Sequence, residues 1–340
     1  MKLLLVKLSS LGDVVHTLPA LQDIRAALPL ARIDWVVEAG LAPLVRRCSG
    51  VHRVISCELR RWRRSPWSAA TRHQWRAFVR ELRAERYDAV IDLQGLTKSA
   101  LVARLAQLTP GGKRYAMANR TEGSGYEAPT RWVADVALRL EPHVHAVTRG
   151  RALCAAALGY PLPARLSWGL QAWPGSALAL GPDTRPCVAL VHGSSRADKQ
   201  WPQQHWVDLG RRLLRSGVRV ALPHGSDAEL ARSWQIADAL NGPERGHALV
   251  WGRLGLDALT DALAGCAGVV GVDSGLSHIA VALNLRHVQL YNFDTAWRTG
   301  PLPHSGARQV SVFAHPAPEV DAVWSAWLGL SGSRGPAGAA

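Results

Sequence analysis

The chain is short of lysine. Among its 340 residues lysine occurs only at positions 2, 7, 98, 113 and 199, so the formal net charge of +14 is carried mainly by arginine. Such a surplus favours an anionic partner: nucleic acid, an acidic membrane surface or a phosphorylated ligand. Heavy arginine and alanine usage also follows genome base composition, so charge alone does not choose among these. Cysteine is sparse too. Cys48, Cys57, Cys154, Cys187 and Cys266 are scattered and no CxxC occurs, which argues against a zinc site or disulfide framework and fits a reducing cytoplasm. No apolar run reaches 18 residues, so no bilayer-spanning helix is expected, while contact with a membrane surface stays open. LLLV is too short for the apolar part of a signal peptide, and polar Ser9-Ser10 and acidic Asp13 follow it at once. Two nucleotide motifs are missing: there is no GxxxxGK[ST], and no GxGxxG follows the first apolar run.

What is present is a globular composition, 48% hydrophobic and 19% charged, in a chain long enough for two domains. Short β-rich runs alternate with longer helical patterns. LLLVK (3–7), RIDWVV (32–37), HRVIS (52–56), YDAVIDL (87–93) and RYAMA (114–118) read as strands. Between them VVHTLPALQDIRAAL and RHQWRAFVRELRAER carry apolar residues at helical spacing. A second series follows: CVALVH (187–192), VRVALP (218–223), HALVW (247–251), GVVGVD (268–273) and HVQLYN (287–292), interleaved with helices such as QHWVDLGRRLLRS and LDALTDALAG. Strand–helix alternation predicts parallel sheets covered on both faces. The expected division is a first domain over 1–160, a Pro- and Gly-rich linker over 161–186, and a second domain over 187–317. A last helix at 318–330 and a disordered tail at 331–340 complete it. Two doubly wound domains would hold ligands at the C-terminal ends of their strands, in a cleft between them.

Several residues at those strand ends can carry chemistry. Gly12 allows a tight turn after the first strand and sets Asp13 at a helix start. An acid there caps the helix or serves as an ionised proton acceptor, and position alone leaves both open. After VALVH, the loop with Ser194, Ser195 and Lys199 offers hydroxyls, backbone N–H groups and an ammonium to an oxyanion; an ordinary turn with a solvated lysine is the plain alternative. Pro202 suits a helix first turn. In GVVGVDSGLSH, Asp273, Ser274 and Gly275 open a helix bearing His278, a second candidate anion site, and two in one domain suggest a diphosphate. Glu229 is placed to accept hydrogen bonds from ribose hydroxyls, or to face solvent. In the first domain Arg60, Arg61, Arg63 and Arg64 surround Trp62, and Lys98 and Arg120 follow later strands. They form a solvated run, a nucleic-acid patch or a receptor for an acidic ligand.

The motifs together resemble glycosyltransferase family 9, the heptosyltransferases of lipopolysaccharide core synthesis. The carriers, in family order, are KLSSLGDVVHTLPAL, DWVVE (34–38), RRWRR (60–64), YDAVIDLQGLTKSA (87–100), HAV (145–147), HGSSRADKQWP (192–202) and VDSGLSH (272–278). RRWRR and LQGLTKSA point to the branch that adds the first heptose. The resemblance implies a GT-B fold, two Rossmann-like domains facing across a cleft. It implies inverting transfer of L-glycero-D-manno-heptose from its ADP donor to Kdo2-lipid A, without a metal or other cofactor. The enzyme would sit in the cytoplasm, peripheral on the inner face of the inner membrane, with no nucleic-acid partner. By the resemblance Asp13 is the catalytic base and Lys199 the donor-phosphate lysine. Gly12, Ser194, Ser195, Glu229, Leu254, Asp273, Ser274, Gly275 and His278 contact the donor, and Arg60, Arg61, Arg63, Arg64, Lys98 and Arg120 the acceptor. Two departures stand out: YNFDTAW (291–297) replaces a Gly-Pro-Thr-Asp-Pro-like segment, and His224 replaces an aromatic residue. A family relative with another acceptor, a Rossmann-type oxidoreductase, and a non-enzymatic binder of nucleic acid or lipid are the competing readings.

Overall fold

A computed structural model of the chain describes residues 1–173, 183, 185–242, 248–302 and 308–330. The expected tail at 331–340 and the linker residues 174–182 and 184 lie outside the described residues, as does His247. The chain divides into two compact units, Met1–Gln171 and Ala172–Ala340. Residues up to Gln171 join the first unit through an antiparallel bridge between Cys48 and Leu170, and Ser49 N–H donates to the Gly169 carbonyl at 2.8 Å.

The first unit holds strands β1 Lys2–Val6, β2 Arg32–Glu38, β3 Val51–Cys57, β4 Arg86–Asp92, β5 Gln107–Met117 and β6 Val136–Leu138. They form one parallel sheet in the order β3-β2-β1-β4-β5-β6. The second unit holds β7 Cys187–Val191, β8 Arg219–Leu222, β9 Ala248–Val250, β10 Gly268–Val272, β11 His287–Tyr291 and β12 Gln309–Phe313. Its order is β12-β11-β10-β7-β8-β9, again all parallel. Both sheets therefore wind alike: the chain runs outward from its first strand, returns, and continues on that strand's other side. Central strands are buried on both faces, so they read as unbroken apolar runs such as LLLV in β1 and VALV in β7.

The structure departs from the expected elements in four places. VVHTLPALQDIRAAL is two helices, Leu11–Val15 and Leu18–Ala27, because Pro19 has no N–H to continue the first one. Pro202 stands just outside the helix Gln203–Arg215, as its N-cap. Strand β5 starts earlier than RYAMA, with a register shift against β4 between Tyr87 and Ala89. Strands β6 and β12 were not expected. Both are edge strands, and their half-buried residues lack the apolar run of a central strand.

Each unit packs its own core. In the second, Trp201 is fully buried, stacks edge-on to Trp206 at 4.9 Å, and donates its indole N–H to the Pro318 carbonyl at 2.7 Å. The last helix, Val320–Gly329, places Val323 and Trp327 in the same core. In the first, Arg151 joins helix Ala146–Leu158 to helix Leu18–Ala27 through a buried two-point contact with Asp23, at 2.6 and 3.1 Å. Its guanidinium also donates to the Pro163 and Arg165 carbonyls. Burial pushes the Asp23 carboxyl above its ordinary value even beside Arg151. Arg151→Met strands that carboxylate, so urea unfolding should show a loss of about 3–5 kcal/mol. Adding Asp23→Leu should regain part of the loss by removing the unpaired charge.

Candidate active site

Asp13 sits at the third position of the helix Leu11–Val15, whose N-cap is Ser10. Its Oδ2 accepts the Ser10 backbone N–H at 3.1 Å and the Ser10 hydroxyl at 2.9 Å. Its Oδ1 lies 3.6 Å from Lys7 Nζ, and the side chain remains 36% exposed. Asp13 thus does cap the helix, and it does so with one oxygen. Burial pushes its carboxyl up, but Lys7, the two Ser10 hydrogen bonds and Arg149 outweigh it and hold the group below its ordinary pKa. Lys7 is the buried residue just beyond β1. Its ammonium also donates to the Leu93 carbonyl at 3.0 Å, so it spans the ends of β1 and β4 where the winding reverses. Burial lowers its pKa, opposed chiefly by Asp13. Asp92, the last residue of β4, accepts from the Gln94 and Gly95 N–H groups and the Ser99 hydroxyl. Burial pushes its carboxyl up to about 6 despite those bonds.

The six cationic residues expected at the acceptor separate into three groups. Arg60 Nη2 and Lys98 Nζ both reach the Ser9 hydroxyl at 3.5 Å, one residue before the cap. Arg60, Arg63, Arg64 and Lys98 line a cavity of about 380 Å³ with Leu59. Glu38 belongs beside them: its Oε1 is buried without a hydrogen-bond partner among the described residues, and burial raises its pKa against Arg60 and Lys98. Arg61 turns instead to Glu58, at 3.0 Å, and to Gln74. Arg120 is exposed beyond β5 and lines neither of the cavities bounded by Arg63 and Lys98. Four of the six expected acceptor residues therefore cluster. Trp62 is 7% exposed and anchors the short helix Leu59–Arg64, packing against Trp75 and Phe78 and donating to Gln74 at 3.0 Å.

In the second unit Lys199 ends a 3₁₀ turn, Ala197–Lys199, and its Nζ donates to Asp273 Oδ2 at 2.5 Å. Asp273 Oδ1 lies 3.3 Å from His278 Nε2 and accepts from the Thr299 hydroxyl at 3.5 Å. Burial alone would raise the Asp273 pKa, but His278 and Lys199 carry it far below the carboxylate range. Ser274 caps helix Gly275–Ala282, and its hydroxyl is buried without a partner among the described residues. Glu229 Oε2 accepts the Gly225 N–H at 2.6 Å. Its other oxygen lies where a side chain at position 193 would go: a Cβ on Gly193 would stand 2.4 Å from Oε1. Ser194 accepts the Arg196 N–H at 3.4 Å, Ser195 is exposed, and Leu254 is half-buried in the loop after β9. His224, the departure from the family pattern, bonds the Trp251 carbonyl at 2.9 Å.

Some of the arrangement had no sequence signal. Asn292, at the end of β11, donates to the Asp198 and Gln200 carbonyls, both at 2.9 Å, and so clamps the turn on either side of Lys199. It is the second residue of the divergent segment YNFDTAW (291–297). Lys7 did have a signal, a lone charge closing a buried strand. Among the described residues no three His, Cys, Asp or Glu side chains converge as a metal site, and no helix is long and apolar enough to cross a membrane.

Known proteins are similar to this chain in sequence and in fold. Residues 75–324 match the family described as glycosyltransferase family 9 (heptosyltransferase). Lipopolysaccharide heptosyltransferase 1 of Pseudomonas aeruginosa is 39% identical over 307 residues, covering 88% of this chain and 81% of that one. The solved E. coli heptosyltransferase WaaC with ADP is 34% identical, with a TM-score of 0.81 over 96% of this chain and 98% of that one. The same enzyme with ADP-2-deoxy-2-fluoro heptose gives 33% and 0.79 over the same shares. The fold is thus GT-B, as the family resemblance implied. On the match over residues 75–324 and the 39% identity, the chain belongs to glycosyltransferase family 9 (heptosyltransferase).

Proposed function

We propose that this protein transfers L-glycero-D-manno-heptose from ADP-heptose to a Kdo residue of Kdo2-lipid A, the first heptose of the lipopolysaccharide inner core. The observation that carries the reading is Asp13: an ionised, part-exposed carboxylate with one oxygen bound in the helix cap and the other turned to Lys7. A helix cap alone needs no lysine behind it. The names of the relatives, and the solved relatives holding ADP and an ADP-heptose analogue, support a nucleotide-heptose donor.

In this mechanism Asp13 takes the proton from the attacking Kdo hydroxyl while the anomeric C–O bond to ADP breaks on the opposite face, which inverts that centre. The sugar becomes oxocarbenium-like, and negative charge grows on the departing diphosphate. Lys199, the Ser274 hydroxyl and the N–H groups opening helix Gly275–Ala282 stabilise that charge. Asp273 holds the ammonium directly, and Asn292 fixes the turn that carries it through the Asp198 and Gln200 carbonyls. Glu229 receives the ribose hydroxyls. The Arg60, Arg63, Arg64 and Lys98 cluster binds acidic groups of the acceptor. The acceptor's lipid lies in a bilayer, so the protein works as a peripheral enzyme at the cytoplasmic face of the inner membrane, where a basic surface meets anionic headgroups.

Two measurements test this reading, and a third tests the buried Asp92 carboxyl. Asp13→Asn keeps an oxygen for the Ser10 N–H but loses the base. Turnover in a heptose-transfer assay should fall at least about a hundredfold, with ADP affinity little changed and the protein still folded, though less stable because buried Lys7 loses its counter-charge; near-normal turnover would refute the assignment. Lys199→Ala removes a charged hydrogen-bond donor, so calorimetric ADP affinity should fall about tenfold or more. Asp92 has its pKa raised to about 6, so the folded state binds its proton more readily than the unfolded chain. Its contribution to stability therefore decreases as pH rises from about 4 to about 6. Asp92→Asn should flatten that limb in melting curves taken across pH 4–7.

A further inference from the structure

Beside the cationic cavity of the first unit lies a larger and more apolar one, of about 510 Å³. Leu59, Trp62, Trp75 and Leu101 form its apolar lining, and Arg63, Arg72, Arg76 and Lys98 supply cations around it. Leu59, Arg63 and Lys98 line both cavities, so the two adjoin. The indoles of Trp62 and Trp75 meet edge to face at 5.7 Å, and the Trp62 N–H is satisfied by Gln74. Leu101 is 50% exposed although it belongs to helix Thr97–Leu105, whose buried face carries Ala100, Val102 and Ala103. The site thus combines rigid apolar walls with a surround of positive charge. A phosphate alone would use the cations and leave the indoles and leucines wetted.

We propose that this cavity binds one acyl chain of the anionic lipid acceptor, with the acceptor's acidic groups on the neighbouring arginines and Lys98. The inference rests on the acceptor reading above and adds that the enzyme recognises the lipid as well as the sugar. Charge complementarity commits the occupant to an amphiphile with an anionic head, and continuity with the Arg60–Lys98 cavity commits it to the acceptor.

Alkyl phosphates of six to twelve carbons, used below their micelle concentrations, test the cavity without any transfer reaction. In calorimetric titrations their affinity should rise with chain length, by up to about fourfold per buried methylene, above that of inorganic phosphate. Leu101→Gln puts a neutral polar group on a half-exposed helix position, so the fold and the surrounding charge should survive, as melting temperature will show. It should weaken dodecyl phosphate at least tenfold while inorganic phosphate binds as before. Equal affinity for all chain lengths, or a chain-length gain that persists in the variant, overturns the proposal. A second arm tests whether the acceptor is the source of the chain. Leu101→Gln should raise KM more for an acyl-bearing acceptor than for its fully deacylated form, and an equal change in both overturns that part. Absence of transfer to either acceptor by the native protein would refute the heptose reading instead, and the alkyl phosphate series would still decide the cavity.

Discussion

Both sheets wind outward from their first strand, then return to continue on its other side, and everything described at the sites follows from that reversal. Beside β1 and beside β7 the connections leave in opposite directions, so the C-terminal strand ends there are not covered by a crossover. Each unit places a lysine across this gap. Lys7 leaves the end of β1 and bonds the Leu93 carbonyl just after β4; Lys199 leaves the loop after β7 and bonds Asp273 just after β10. In a chain with five lysines and an excess of arginine, these two stand at equivalent places in the winding. A compact ammonium with three donors suits a crowded junction where a planar guanidinium would need more room.

The same junction sets neighbouring carboxylates apart. Asp13 and Asp92 both lie near Lys7, yet one is held below its ordinary pKa and the other above it. Asp13 gains two hydrogen bonds from Ser10 and keeps access to solvent, whereas Asp92 is closed in by Gln94, Gly95 and Ser99. Burial prevails for the second, whereas for the first Lys7, the Ser10 hydrogen bonds and Arg149 together outweigh it. In the other unit Asp273 follows the pattern of Asp13 more strongly, because Lys199 and His278 address its two oxygens separately.

Much of this was legible before any coordinates. Asp13, Lys199, Asp273 and His278 could be placed because each follows an apolar run closed by small or turn-forming residues, a local signal that survives folding. The RRWRR stretch was legible as a cluster, but not its division: Arg61 is taken by Glu58 and Gln74, and Arg120 stays apart. That depends on which way a short helix rolls when Trp62 packs. The partners of the site residues were not legible at all. Lys7 finds Leu93 across 86 positions and Asn292 finds Asp198 across 94, and no periodicity or spacing encodes such pairs. The edge strands β6 and β12 escaped for a simpler reason: short, half-buried strands carry little apolar pattern.

The burial of Trp62 has a consequence for how this surface can evolve. Four arginines on one six-residue helix take their positions from a single neutral ring set among Trp75 and Phe78. Each charge can be exchanged or moved along the helix while the anchor stays, so the pattern of positive charge on this surface can drift residue by residue. The ring has no such latitude. Its loss would release all four charges together, so selection on surface charge and selection on the fold act on different residues of the same five-letter stretch.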